Sequence, residues 1–150
     1  MSEHKVTITW KSDSEDFSYK NYDRSHEWHF EGGKVVKASS AVQFLGKKDL
    51  VNPEEALAAS ISSCHMLSFL AIASRKRWVV RSYTDKAVAI LEKNDKEKLA
   101  VTKTYLHPEV IFSGENLPTK EEILKMHKMA HEECFIANSV LTEIIVDPVV

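Results

Sequence analysis

The chain has 150 residues, of which 43% are hydrophobic and 28% charged, with a formal net charge of −2. This composition is typical of one soluble globular domain, and the length is sufficient for an apolar core. The lack of a basic excess argues against nucleic-acid binding. The two cysteines exclude a disulfide-rich secreted scaffold. Together with the polar first ten residues, they lead us to expect a reducing, cytoplasmic location.

The first fifty residues have the alternating pattern of β-strands. The apolar residues that alternate with polar ones are Val6, Ile8, Trp10, Trp28 and Phe30. The pair Gly32-Gly33 predicts a tight turn, after which we expect extended chain from Val35 to Phe44. These segments together predict an antiparallel meander.

The clearest helix start follows at Asn52. The Asn52 side chain can cap the helix, Pro53 suits the first helical position, and Glu54-Glu55 favours the positive end of the helix dipole. We expect this helix to end near Lys76.

The first predicted helix is apolar or small on nearly all sides. Residues 56–74 carry no formal charge and could span a bilayer by length, but their five serines and one histidine favour a buried helix. A chain of 150 residues has little material with which to wrap such a helix completely. We therefore expect a second subunit to cover part of it, and no membrane to be involved.

The remaining elements are strands and one further helix. The strands are predicted over Val79–Leu91, Lys98–Phe112 and Leu141–Val146. The motif T-x-x-E at Thr119–Glu122 predicts a capping box, which begins a second helix that ends near Cys134. The order of strands, helix, strands, helix and strand indicates an α+β domain. We expect one domain over residues 1–150.

Both cysteines lie on the predicted helices, Cys64 in the middle of the first and Cys134 at the end of the second. A free cysteine is often an inert buried hydrophobe. Here, however, His65 follows Cys64 directly and His131 precedes Cys134 by three residues, which favours a chemical role. Seventy positions separate the two cysteines, so their pairing would require the two helices to pack together.

His127, His131 and Cys134 share one face of the second predicted helix, because they are spaced by four and three residues. With a fourth ligand from Cys64 or His65, this face could hold zinc. The spacing is not a specific metal signature, so a half-buried histidine pair is the plainer interpretation. We expect no metal.

Taken together, these segments resemble the OsmC/Ohr family. The resemblance rests on the sequences NPEEAL at 52–57, SCH at 63–65, AH at 130–131 with Cys134, and NSV at 138–140. It covers most of the chain. It implies an α+β fold of the OsmC/Ohr type, with antiparallel sheets around two central helices in an intertwined homodimer.

The resemblance also implies a thiol-dependent peroxidase that reduces organic hydroperoxides to alcohols. Cys64 matches the attacking cysteine and Cys134 the resolving cysteine, with which it forms a disulfide. Glu54 matches the family's glutamate ten residues before the first cysteine, and Arg24 is the best candidate for its arginine. An external dithiol, for which a lipoyl group is one candidate, would reduce the disulfide, and no bound cofactor is expected.

Simple chemistry adds two expectations to this site. The attacking thiolate needs a nearby cation. His65 faces a different direction from Cys64, about 100° around the helix, whereas Arg24 is always charged and can serve. Ten helical residues span about 15 Å, so Glu54 cannot reach Cys64 of its own helix. We therefore expect Glu54 and Arg24 to come from the partner subunit, with Glu54 holding the guanidinium in a bidentate pair. The apolar residues expected to line the access path of a hydrophobic peroxide are Met66, Leu67, Phe69 and Phe135.

The chain departs from the better-known branches at two positions. Phe135 follows the second cysteine where they usually have proline, and His65 follows the first. These departures bear on the peroxide and the reductant more than on the fold. Two alternatives stay open, which are a non-catalytic OsmC-fold protein that binds a ligand or senses oxidation, and a metal-binding protein that uses the His/Cys face.

Overall fold

The computed structural model describes all 150 residues, which form two compact units, Met1–Ala56 and Leu57–Val150. The first unit contains a three-stranded antiparallel sheet in the order β1-β2-β3. Its strands are β1 (Val6–Thr9), β2 (His26–Phe30) and β3 (Val35–Ala38). The predicted meander is confirmed. Gly33, at φ 82°, makes the turn between β2 and β3.

The extended chain predicted from Val35 to Phe44 is shorter in the structure. β3 ends at Ala38, and Val42–Phe44 forms a 3₁₀ turn that closes on Leu45 in the left-handed conformation. Gly46 also packs directly against this turn, because a Cβ at this position would lie 1.6 Å from the carbonyl oxygen of Ser40. The chain therefore folds back on itself here instead of continuing a strand.

Helix α1 (Pro53–Arg75) begins and ends as predicted. The Asn52 side-chain oxygen accepts the Glu55 N–H at 2.9 Å, and the Glu55 carboxylate accepts the Asn52 N–H at 3.1 Å. This reciprocal pair satisfies two N–H groups that the helix start would otherwise leave unpaired. Arg77, at φ 63°, ends the helical path.

One face of α1 is buried within the chain and another is not. The buried residues recur every three or four positions and are Ala58, Ile61, His65, Phe69, Ile72 and Ala73. Leu67 on the other side is 60% exposed. By length and composition α1 could cross a membrane. The chain thus leaves an apolar face of α1 uncovered, and its coverage by a second subunit stays a prediction.

The second unit contains two sheets. β4 (Val79–Asp85) pairs antiparallel with β7 (Pro108–Ser113). β5 (Val88–Lys93) pairs antiparallel with β6 (Leu99–Leu106). The closing strand β8 (Glu143–Val146) lies parallel to β6, in contrast to the antiparallel pairing of all other strands.

The two long strands predicted in this unit are each divided in two. The division falls where Asp85 faces His107 and Pro108. Pro108 has no N–H to donate to a ladder, and the His107 N–H donates to the Asp85 carboxylate at 2.7 Å instead of to a neighbouring strand. The ladder is therefore interrupted at this point, and four strands replace the two that were predicted.

Helix α2 (Lys120–Glu133) begins with the predicted capping box between Thr119 and Glu122, and Cys134 is its C-cap residue. A core forms between the helices and β4 and β7. Its buried members are Phe69, Ile72, Ala73, Met126 and Ala130. The predicted α+β class is confirmed, and the single domain over residues 1–150 stays a prediction.

Candidate active site

The two cysteines meet in the second unit. Cys64 lies in the middle of α1 and is partly exposed, whereas Cys134 caps α2 and is fully buried. Both are free, and the Cys64 thiol lies near enough to the Cys134 sulfur to raise the pKa of Cys134. The structure thus brings α1 and α2 together in the way that pairing of these residues requires.

The environment of Cys134 keeps its sulfur protonated. Burial, followed by the neighbouring Cys64 thiol, raises the pKa of the Cys134 thiol to about 11. The Ala137 N–H, which lies 3.3 Å from the sulfur, opposes this effect. At neutral pH Cys134 is therefore a thiol.

A buried histidine pair joins the two helices that carry the cysteines. His65 Nε2 and His127 Nδ1 are 3.0 Å apart, and the two rings are nearly parallel. His65 is 1% exposed and His127 is 3% exposed. Burial is the largest cause that lowers the pKa of both imidazoles to about 4. A smaller part comes from His131 for His65, and from His65 for His127. Both rings are thus neutral at pH 7, so that one donates an N–H to the other.

This pairing bears on the zinc hypothesis for His127, His131 and Cys134. The Nδ1 atom of His127 is directed at His65, and no group of three or more His, Cys, Asp or Glu side chains is arranged to hold a metal ion. The geometry therefore gives the metal-binding alternative no support.

A second set of polar groups, which the sequence reasoning missed, surrounds the end of β4. The Asp85 carboxylate accepts hydrogen bonds from the Ser62 hydroxyl and from the His107 N–H. The Tyr83 hydroxyl is buried without a partner, and burial followed by the charge of Asp85 raises its pKa. The available signal for this cluster was Asp85, a carboxylate within the predicted strand Val79–Leu91.

Arg24 and Glu54 both belong to the first unit, and they do not form the predicted bidentate pair. The Arg24 guanidinium donates to the carbonyls of Tyr22 and Tyr19 at 2.9 and 2.7 Å, and it lies 3.9 Å from the centre of the Tyr22 ring. Glu54 Oε2 is buried without a partner. Two backbone carbonyls take two of the five N–H groups of the Arg24 guanidinium, and no Arg24–Glu54 pair forms within this chain.

Arg24 lines a cavity of about 600 Å³ in the first unit. The other lining residues are Ile8, Trp10, Phe17, Tyr22, His26, Ser39, Ser40 and Pro53. Most of these side chains are aromatic or aliphatic, and Phe17 is 63% exposed. The guanidinium is thus held rigidly at an apolar depression of the surface.

The four residues predicted to contact a peroxide are distributed differently. Leu67 and Phe135, which are 60% and 82% exposed, line one cavity of about 520 Å³ in the second unit. Met66 is half-buried and does not line it. The prediction for Phe69 is wrong, because this ring is fully buried in the core and stacks on His127 with ring centres 4.2 Å apart.

Comparison with solved structures places the fold among known proteins. The structure is similar to that of an OsmC-like protein of unknown function from Vibrio cholerae, with a TM-score of 0.96 and 50% identity over 99% of this chain and 100% of that chain. It is also similar to the organic hydroperoxide resistance protein of Elizabethkingia anophelis, with a TM-score of 0.73 and 17% identity over 99% of this chain and 94% of that one.

A third similar structure is the organic hydroperoxide resistance protein of Bacillus subtilis, with a TM-score of 0.71 and 14% identity over 99% of this chain and 98% of that one. At this identity the likeness shows the fold alone. The sequence matches no curated protein. Residues 46–148, however, match the family described as OsmC-like protein, and the chain belongs to that family.

Proposed function

We propose that this protein is a thiol-dependent peroxidase that reduces organic hydroperoxides to alcohols. The observation that carries the proposal is the convergence of two thiols from different helices, one partly exposed and one fully buried. A pair of inert cysteines would not need to meet. The names of the two hydroperoxide resistance proteins with this fold agree with such a function.

The proposed cycle has three steps. The Cys64 thiolate attacks the distal oxygen of ROOH, the O–O bond breaks, and the alkoxide takes a proton and leaves as the alcohol. Cys64 is now a sulfenic acid, which condenses with the Cys134 thiol to form a disulfide and water. An external dithiol then exchanges with this disulfide, restores both thiols and is itself oxidised.

The exposure of the two sulfurs supports this order of events. Cys134 is fully buried, whereas Cys64 is partly exposed, so a peroxide from solvent meets Cys64 first. The protonated state of Cys134 also makes it a poor first nucleophile, because the thiolate is the reactive form. Exposed Leu67 and Phe135 offer an apolar surface on which an organic group could rest.

We further propose that the active protein is a homodimer in which the partner subunit's Arg24 supports the Cys64 thiolate and the partner subunit's Glu54 completes the site. The first unit exposes large apolar side chains, among them Ile8 at 56% and Phe17 at 63%. A contiguous apolar surface of this kind is typical of a protein interface. The uncovered face of α1 around Leu67 offers a surface of the same character.

The test is the consumption of cumene hydroperoxide in the presence of dithiothreitol or dihydrolipoamide, with hydrogen peroxide as a comparison. We expect turnover by the native protein, none by Cys64→Ser, and about one turnover by Cys134→Ser before Cys64 is over-oxidised. Faster turnover with dihydrolipoamide would identify a lipoyl-type reductant. Oxidation of Cys64 without continued turnover would instead favour a redox sensor, and the absence of any thiol oxidation would refute the proposal.

A further inference from the structure

The His65–His127 hydrogen bond joins the two helices that carry the cysteines. His65 is the residue after Cys64 on α1, and His127 lies seven residues before Cys134 on α2. Seven helical residues span about 10.5 Å, or two turns. One buried contact thus links the two helices, at the residue after Cys64 on α1 and two turns before Cys134 on α2.

The buried histidine pair does not make the core more stable than apolar side chains would. His65 Nδ1, His127 Nε2 and the neighbouring His131 Nδ1 are all buried without a hydrogen-bond partner. A buried polar atom left unpaired costs about 1–3 kcal/mol, which apolar side chains of similar size would avoid. The benefit of the histidines must therefore lie in something other than stability. A directional bond in an apolar core selects one alignment among several that apolar contacts alone would allow.

The surroundings hold the two rings in place. The Phe69 ring stacks on His127, with ring centres 4.2 Å apart. The titratable groups that face the pair are His131 on α2, and Tyr83 and Asp85 on β4. Asp85 is itself tied to α1 through the Ser62 hydroxyl. Sliding of α1 along α2 would therefore break the histidine contact and disturb the stacked ring.

We propose that the His65–His127 pair is a positioning pair, which fixes the alignment of α1 against α2 that brings the Cys64 and Cys134 sulfurs together for disulfide formation. Its place in a peroxide cycle rests on the function proposed above. The alignment itself does not, because disulfide formation can be driven without any peroxide.

The experiment measures the equilibrium constant for the Cys64–Cys134 disulfide in buffers of reduced and oxidised dithiothreitol, at neutral pH and under conditions where each variant is folded. We expect His127→Leu to lower this constant about tenfold, the effect of losing one buried hydrogen bond. As a control, Ile72→Val trims the same core without touching the pair and should leave the constant within about twofold of the native value, although it destabilises the fold.

A matched pair of polar variants keeps the test decisive if His127→Leu does not fold. His127→Asn places an amide near the position of Nδ1 and can still bond to His65, whereas His127→Gln extends its amide beyond that position. The equilibrium constant should stay within about threefold of the native value for His127→Asn. It should fall about tenfold for His127→Gln, because that variant loses one buried hydrogen bond. Equal constants for the two variants would overturn the proposal, as would a native constant for His127→Leu.

The peroxide reaction provides a separate measurement. With cumene hydroperoxide, His127→Leu should form the Cys64 sulfenic acid at the native rate but convert it to disulfide more slowly, so that sulfinic acid accumulates. If the native protein does not react with peroxide, the proposed function fails, while the dithiothreitol equilibrium still decides the role of the histidine pair.

Discussion

The two compact units of this chain differ in how far each completes its own interior. Residues 57–150 enclose a core in which Phe69, Met126 and Ala130 are fully buried, together with Cys134. In residues 1–56, only Ala38 and Ser39 are fully buried, and apolar side chains of the sheet face outward. One chain can therefore hold the two thiols in place, whereas the unit that carries Arg24 exposes an apolar surface, to which we propose that the partner subunit binds.

The largest effect is expected from a charge on that apolar surface. Ile8→Asp places a carboxylate where we expect the partner subunit, and burial of an unpaired charge should weaken the dimer by about 3 kcal/mol or more. Sedimentation velocity should show that Ile8→Asp is a monomer, and its peroxide turnover should be lower than that of the native protein. Thr7→Asp lies on the opposite face of β1 and should keep the native assembly. A monomeric native protein with full activity would show that the first unit needs no partner.

Acidification should weaken the second unit through its histidine pair. The pKa of both His65 and His127 is about 4 when folded and 6.5 for an ordinary histidine, so the unfolded chain binds more protons between these values. Stability should therefore fall as the pH drops from about 6.5 to about 4, by on the order of 3 kcal/mol for each histidine. Asp23, whose pKa is lowered to about 2, loses its contribution only at lower pH.

Urea unfolding at several pH values measures this loss. The double variant His65→Gln/His127→Asn should show a flatter dependence of the unfolding midpoint over the same window, because amides do not titrate. An equally steep dependence in the double variant would assign the acid sensitivity to other groups.

Removal of the Arg24 guanidinium should slow the oxidation of Cys64 without changing the stability of the second unit. Arg24→Met removes the proposed support for the Cys64 thiolate, and the rate of Cys64 oxidation should fall by about 10- to 100-fold, as expected for the loss of one nearby cation. The thermal unfolding of the second unit should not change. Arg81→Met, which removes an exposed arginine of β4, serves as the control and should react at the native rate. Equal rates for the two variants would remove Arg24 from the site.

The smallest effect concerns the start of α2. Thr119→Ala removes the side-chain oxygen that accepts the Glu122 N–H, and should lower the free energy of unfolding by about 1 kcal/mol. Urea denaturation measures this change, and Thr119→Ser should restore most of the loss because it keeps the hydroxyl. Disulfide formation should be unaffected, since the cap lies at the end of α2 opposite Cys134.

Much of the fold was predictable because its determinants are local. The N-cap at Asn52 and the capping box at Thr119 depend on residues within three positions of each other, and both helices begin where these signals predict. The placement of Cys64 and Cys134 on the two helices follows directly. The family resemblance then added the packing of one helix against the other, which no local pattern contains.

The features that escaped prediction depend on contacts between distant positions. The division of the long strands at His107 requires the Asp85 carboxylate, and the parallel pairing of β8 with β6 joins segments far apart in sequence. Phe69 was assigned to an access path because helical periodicity does not say which side of an apolar helix faces inward. The His65–His127 bond could not be found from sequence for the same reason, since sixty-two positions separate its members.

The most direct measurement is an anaerobic titration of the fully reduced native protein with cumene hydroperoxide, followed by intact mass and peptide mapping. One equivalent of peroxide should consume both thiols, remove two hydrogen atoms from the protein and join the peptides that contain Cys64 and Cys134. Addition of oxygen to Cys64 while Cys134 stays a free thiol, or no reaction at either cysteine, would contradict a peroxidase built on these two sulfurs.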